Sequence, residues 1–306
     1  MLRSLLLALT LTACAQTNAN SGPADAALAD TVVPDTLATD SGADTSTTGD
    51  TGLGTDTGLV TDTGPGDPAL VGLPGIAAWD ALAPDEKAKV KSFRTFFLHQ
   101  SVGGDLEDGA EAVGYKFEYV DSSATSLSPG LNGGLFASSN GNPAGKIAEF
   151  RKLALATKST ARVAIMKFGY ADIVSDKVAA AQTAYQAAVA DIKAAGVRVL
   201  HVTPPLVYSV PAENAPKMAT RAWMRATFPS DVIFDLQDVE STEPATGARC
   251  ERGGSWEICN SVRSTAACPS LNQGIDAPTG QGHICFKPHA QRFAKAYLYA
   301  IYLAGK

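Results

Sequence analysis

Phe93-Arg94-Thr95-Phe96-Phe97-Leu98 runs directly into His99-Gln100-Ser101-Val102-Gly103-Gly104, and this stretch decides the fold. The first half is a compact apolar run ending in polar residues, the pattern of a strand buried inside a sheet. From Ser101 to Val113 the spacing changes to that of a helix, with Val102, Leu106, Ala110 and Val113 on one face. A strand that turns sharply into a helix is the first half of a βαβ unit.

Downstream, the same alternation repeats. Tyr115–Val120, Arg162–Phe168, Val197–Thr203 and Asp231–Leu236 read as four further strands, the fourth strand of the series cut off by Pro204-Pro205. Between and after them, helices are predicted over Pro143–Leu155, Val178–Ala195, Ala215–Thr227 and about Pro288–Ala304. Pro143 opens the first of these and Gly196 closes the second. Residues 121–142, rich in Ser, Gly and Asn, read as a long loop. Right-handed crossovers between such strands imply a parallel sheet covered on both faces. The expected fold class is therefore α/β: a five-stranded parallel sheet in a three-layer α/β/α sandwich, flavodoxin-like. In that architecture function sits outside the carboxyl ends of the strands.

Before the domain lies a different kind of sequence. Residues 1–13 carry one Arg3 and an apolar stretch, Leu5–Leu11, too short to span a membrane, and read as a signal segment. Leu11-Thr12-Ala13-Cys14 resembles the lipobox of bacterial lipoproteins. That likeness implies cleavage before Cys14, acylation of its thiol and an exported, membrane-anchored protein, with Ala15 favouring the outer membrane or cell surface. From 14 to 68 the chain is mostly Ala, Thr, Ser, Gly and Pro with nine Asp, without Lys, Arg or aromatic residues, which predicts a disordered, solvated tether. Residues 69–306 hold 24 Lys and Arg against 22 Asp and Glu, so the domain carries about +2 and no field that favours nucleic acid. Its four cysteines, Cys250, Cys259, Cys268 and Cys285, cluster in an excursion over 245–285. In an exported chain they read as two disulfides, with Cys250–Cys259 and Cys268–Cys285 preferred among three pairings. A zinc site is disfavoured because no Cys-x-x-Cys pair is present.

Ser101, at the first strand-to-helix turn, suits two roles. Position alone favours a helix N-cap; the alternative is a nucleophile beside helix amides that stabilise negative charge. A nucleophilic serine needs a base. His99 is too near along the chain, His201 lies within a strand, and His289 falls in the first turn of the last helix. His283, in the loop before that helix, is the candidate.

Several blocks together resemble the SGNH, or GDSL-like, hydrolase superfamily. Phe96-Phe97-Leu98-His99-Gln100-Ser101-Val102-Gly103 is similar to the His-Gln-Ser-Val-Gly first block of a divergent subgroup. Asn140-Gly141-Asn142-Pro143, with Lys146-Ile147 and Phe150, resembles that subgroup's Asn-Gly-x-Pro segment. Met166-Lys167-Phe168-Gly169-Tyr170-Ala171-Asp172 resembles its third block, and Asp235 with Glu240-Ser241-Thr242 its post-strand segment. The resemblance departs from the usual pattern at three places. Gln100 replaces the Asp of Gly-Asp-Ser, Ala171 stands where an Asn donor is expected, and Gly280 stands where an Asp is expected three residues before the histidine. Asp276 is the nearest acid.

What the resemblance implies is a serine ester hydrolase with Ser101 as nucleophile, His283 as general base and Asp276 as its partner. The amides of Ser101 and Gly141 would hold the oxyanion, with Asn140, Asn142 and Gln100 around the substrate. Such chemistry asks for no metal or organic cofactor. With the domain displayed outside, the expected substrate is a small-molecule or carbohydrate ester, as for a carbohydrate deacetylase. The rival expectation is a catalytically impaired SGNH-like surface module that binds glycan or envelope components.

Overall fold

The computed structural model describes residues 69–306. The signal segment, the lipidation candidate Cys14 and the tether to residue 68 lie outside the described residues. In chain order the elements are β1 (Leu70–Val71), α1 (Pro74–Ala81), α2 (Pro84–Lys89), β2 (Arg94–His99), α3 (Val102–Ala112), β3 (Phe117–Tyr119), β4 (Gly130–Leu135), α4 (Pro143–Ala156), β5 (Val163–Met166), α5 (Val178–Ala194), β6 (Arg198–Val202), α6 (Pro211–Thr227), β7 (Ile233–Phe234), α7 (Leu236–Glu240), the hairpin strands β8 (Glu251–Arg252) and β9 (Ser255–Trp256), and α8 (Gln291–Gly305).

The central sheet is parallel throughout, in the order β1-β7-β6-β5-β2-β4-β3, with helices on both faces. It has seven strands rather than the expected five. One extra strand is the edge pair Leu70–Val71, which aligns with Ile233–Phe234. The other, Gly130-Leu131-Asn132-Gly133-Gly134-Leu135, lies inside the stretch read as a loop, because its glycines hide the alternation by which a strand is recognised. One of them is needed for packing: a Cβ on Gly133 would overlap the Tyr119 ring and the Glu107 carboxylate. The missed strand therefore joins β2 to β3, which would otherwise have no partner.

Alternation along the strands feeds two cores. Phe97, Val163, Ile165, Leu200, Val202 and Phe234 face one layer, where they meet α1, α3 and α8 through residues such as Leu106, Phe293, Tyr297 and Ile301. Phe96, Leu98, Ala164, Met166, Val199 and Ile233 face the other, against α4, α5 and α6 through Phe150, Tyr185 and Met224. Each such large side chain contributes about 1.5–3 kcal/mol of transfer free energy on burial. The predicted helices form with shifted ends. α6 begins at Pro211, a proline well suited to the first turn, and α8 begins at Gln291 after the Phe286–Ala290 turn.

Register also fixes the working edge. Leu98 aligns with Met166 between β2 and β5, and the Lys167 amide donates to the Leu98 carbonyl at 3.1 Å. Residues just beyond these two strands, Ser101 on one side and Gly169–Asp172 on the other, therefore emerge side by side.

Within the excursion, Cys250 is bridged to Cys259 and Cys268 to Cys285, with Cα separations of 5.4 and 5.3 Å. The excursion folds back over α3. Ser264 N–H donates to the His283 carbonyl at 2.7 Å, the Cys285 amide donates to the Val262 carbonyl at 2.9 Å, and Asn272 packs onto Gly104.

Candidate active site

Ser101 sits between β2 and α3 with φ 57° and ψ −121°, a left-handed conformation that a side chain adopts at a cost of about 1–3 kcal/mol. The turn is tight enough that any side chain at Gly103 would overlap the His99 ring. Although Ser101 occupies the N-cap position, its side chain makes no capping hydrogen bond. Instead Oγ lies 2.6 Å from Nε2 of His283, a residue 182 positions further along the chain. The bond that position alone favoured is absent, and the strained turn holds the hydroxyl clear of the helix amides.

His283 is buried and its orientation is fixed from behind. Nδ1 lies 2.6 Å from Asp276 Oδ1, and the His283 backbone N–H donates to Asp276 Oδ2 at 3.0 Å. Asp276 is itself buried, so its charge is directed at the ring rather than at water. Nδ1 must carry the proton shared with the carboxylate, which leaves the Nε2 lone pair to accept from Ser101. The acid lies seven residues before the histidine, and the chain between them bulges outward to meet the loop after β6. There Gly280 N–H donates to the Tyr208 carbonyl at 2.9 Å, and Tyr208 N–H donates to the Gln281 carbonyl at 3.0 Å.

The remaining expected site residues divide. Gln100 lies beside Ser101 and ties the turn to the segment after β4, its Nε2 donating to the carbonyls of Phe136 and Ser138 at 3.0 Å each. The Gly141 N–H, expected to face a substrate oxygen, is taken by Asp172 Oδ1 at 2.8 Å. Asp172 is fully buried and already carries a charge that its surroundings must satisfy. It also accepts from Gly169 N–H at 2.6 Å and from Lys146 Nζ at 2.7 Å, so the Gly141 amide completes its coordination. Asn140 and Asn142 are exposed and have local jobs: Asn140 Oδ1 accepts from Lys146 at 3.0 Å, and Asn142 Oδ1 caps α4 by accepting from Gly145 N–H at 3.0 Å. The Ser101 N–H has no acceptor among the described residues.

Two contributors were not foreseen. Tyr170, half-buried, places its hydroxyl 3.3 Å from His283 Nε2 and its ring edge-on to the imidazole, with centroids 5.8 Å apart. Burial pushes its phenol up, so it stays protonated and remains a donor. Nothing in the spacing singles it out, because one aromatic residue between Gly169 and Ala171 marks no chemistry in the sequence. Asp105, one turn into α3 from Ser101, is buried and accepts from Ile284 N–H at 2.9 Å and from the Ser270 hydroxyl. It thereby pins the segment that carries His283 to the helix that follows Ser101. Burial pushes its carboxyl up to about 6, against the opposing effect of those hydrogen bonds. An acid among Val102, Leu106 and Ala110 on the apolar face was the available signal.

Further buried charges lie behind the site. Lys167 is pushed down to about 8, by burial first and by the nearby Lys146 charge second. Glu240, its carboxylate accepting from Leu206 N–H at 2.8 Å, is raised well above the usual range by burial. The other histidines are held in place structurally. His201 bonds Tyr185 and Asp231 within the core, and His289 packs beside Arg292.

No protein-family model matches the chain, and no curated protein matches it significantly. Among solved structures, one that matches is a protein from Bacteroides fragilis NCTC 9343 described as a "putative acylhydrolase". The two share 9% sequence identity with a TM-score of 0.33, over 58% of this chain and 86% of the other.

Proposed function

We propose that the domain is a serine ester hydrolase of the SGNH type. The observation that carries the reading is the continuous chain Ser101 Oγ, His283 Nε2, His283 Nδ1 and Asp276 Oδ1, with successive contacts of 2.6 Å, anchored on a strained strand-to-helix turn. In this reading the Ser101 oxygen bonds to an ester carbonyl carbon while its proton passes to Nε2. The carbonyl electron pair moves onto oxygen, and collapse of the intermediate expels the alcohol, which takes the proton back from Nε2. Water then releases the acid by the same route. Asp276 holds the ring in the required tautomer and stabilises the imidazolium.

The substrate we assign is an acetyl ester on a carbohydrate or small molecule, met outside the cell by a domain tethered through an acylated Cys14. Support for this part comes from the lipobox-like segment and the near-neutral domain charge. A fluorophosphonate probe tests the chemistry: the wild-type chain should label and hydrolyse a small acetyl ester, and Ser101→Ala should do neither. A wild-type chain that never labels would favour the second reading, a surface module that binds glycan without cleaving it. That reading draws on one specific observation, the commitment of the Gly141 amide to Asp172. Recovery of a Cys14→Ser chain in the soluble fraction, with wild type in the membrane fraction, tests the anchor.

A further inference from the structure

On the hydrolase reading, on which this inference rests, the site is short of donors. Attack by Ser101 creates a negative oxygen that needs donors aimed at it, and such donors are usually the largest single contribution to the rate. The Ala171 side chain offers none, the Gly141 amide is occupied by Asp172, and the Asn142 side chain caps α4 through its carbonyl. Of the donors that the resemblance implies, the Ser101 N–H is left beside the exposed Asn140 amide, a thin supply.

Tyr170 is the polar group placed to make up the difference. It leaves β5 on the strand next to the one that leads to Ser101, in aligned register, so its hydroxyl and the serine hydroxyl both approach Nε2. Nε2 has a single lone pair, and Ser101 at 2.6 Å takes it in preference to Tyr170 at 3.3 Å. The phenolic proton is therefore not consumed by the histidine. The phenol stands beside both the Ser101 hydroxyl and the imidazole, within reach of a carbonyl brought to that serine.

We propose that Tyr170 is a catalytic donor: its O–H, together with the Ser101 N–H, hydrogen-bonds the substrate oxygen as that oxygen becomes negative. The proton stays on the phenol throughout. The only proton that moves is the one passing from Ser101 to Nε2 and on to the leaving alcohol, so the step balances without a further reactant. Burial, which keeps the phenol protonated, preserves the donor at neutral and moderately alkaline pH.

The experiment uses the full chain and a small acetyl ester. Tyr170→Phe keeps the ring against His283 and removes only the hydroxyl. It should lower kcat by about 10²–10³-fold, the usual effect of losing one such donor, with KM and the melting temperature little changed. A second variant carries 3,5-difluorotyrosine at position 170. Its more acidic phenol should bring the alkaline fall in kcat to lower pH, a shift that a merely packing role would not produce. Tyr170→Phe with kcat within about threefold of wild type, or an unmoved pH profile in the fluorinated chain, overturns the assignment while Ser101→Ala still reports a working hydrolase. If Asn140→Ala, rather than Tyr170→Phe, produces the loss, the donor is Asn140 and the assignment is likewise overturned. A wild-type chain that neither labels nor hydrolyses removes the hydrolase reading itself, and Tyr170 with it.

Discussion

Asp105→Asn should stabilise this protein in neutral and alkaline solution while leaving its stability in acid almost unchanged. Burial pushes the Asp105 carboxyl up from 3.8 to about 6 in the folded chain. An acid whose pKa rises on folding binds its proton more tightly in the native state than in the unfolded one. Its favourable contribution is therefore complete below about pH 4 and is lost as pH rises through about 6. A separation of about two pH units, at about 1.4 kcal/mol each, makes the ionised carboxylate about 3 kcal/mol costlier to keep folded at pH 8 than the neutral acid. Asparagine cannot ionise, and its amide still accepts from Ile284 N–H and donates toward the Ser270 oxygen. The variant should thus gain about 2–3 kcal/mol over wild type at pH 8 and lie within about 1 kcal/mol of it at pH 4. Urea unfolding of both chains, disulfides intact, at several pH values between 4 and 8 measures the difference directly. Taking the difference between the two chains also removes most of the titration of neighbours such as Glu240 and Lys167. A stability gap that stays constant across this range would refute the reasoning, as would a gap that narrows with rising pH.

Other perturbations test the site from different sides. Ser101→Gly should end esterase activity and fluorophosphonate labelling while raising the unfolding free energy by about 1 kcal/mol, because glycine adopts φ 57° without strain; calorimetry reads the gain. Asp276→Asn should lower kcat by about 10⁴-fold with a folded chain by circular dichroism, since the amide favours the wrong histidine tautomer. Replacing Cys268 and Cys285 by alanine opens a loop of sequence separation 17 and should cost about 3 kcal/mol in urea unfolding. Activity should fall in the same variant, because the opened loop carries Asp276 and His283. Asp172→Ala should destabilise by about 3–5 kcal/mol in the same assay, since it strands the buried Lys146 ammonium without its counter-ion.

How far the sequence could be read follows from what each residue signals locally. The strands around Phe96-Phe97-Leu98 and Val163–Met166 announce themselves because branched and aromatic residues fill both faces of a buried parallel strand. Gly130–Leu135 does not, since Gly133 is dictated by the Tyr119 and Glu107 side chains lying across it, a constraint visible only in three dimensions. Ser101 is ambiguous between cap and nucleophile in the sequence because both roles use a hydroxyl at one position; the structure shows that its side chain makes no capping bond. His283 emerged by elimination among four histidines. The role of Asp276 depends on a loop conformation that spacing does not encode, and that of Tyr170 on the register of two strands. Gly141 illustrates the reverse case. Its motif position matches, yet the buried Asp172 charge claims its amide.

The seven-residue interval from Asp276 to His283 separates two things that a shorter interval would fuse. Both ends are pinned, the acid by its two bonds to the histidine and the histidine carbonyl by Ser264 N–H, while the middle leans on the Tyr208 loop. On the hydrolase reading, residues 277–281 thus form a panel beside the proton relay, closed by Gly282, where a Cβ would strike the Leu206 carbonyl. Side chains at its exposed positions, 277–279, can change without touching the bonds that hold the acid to the ring.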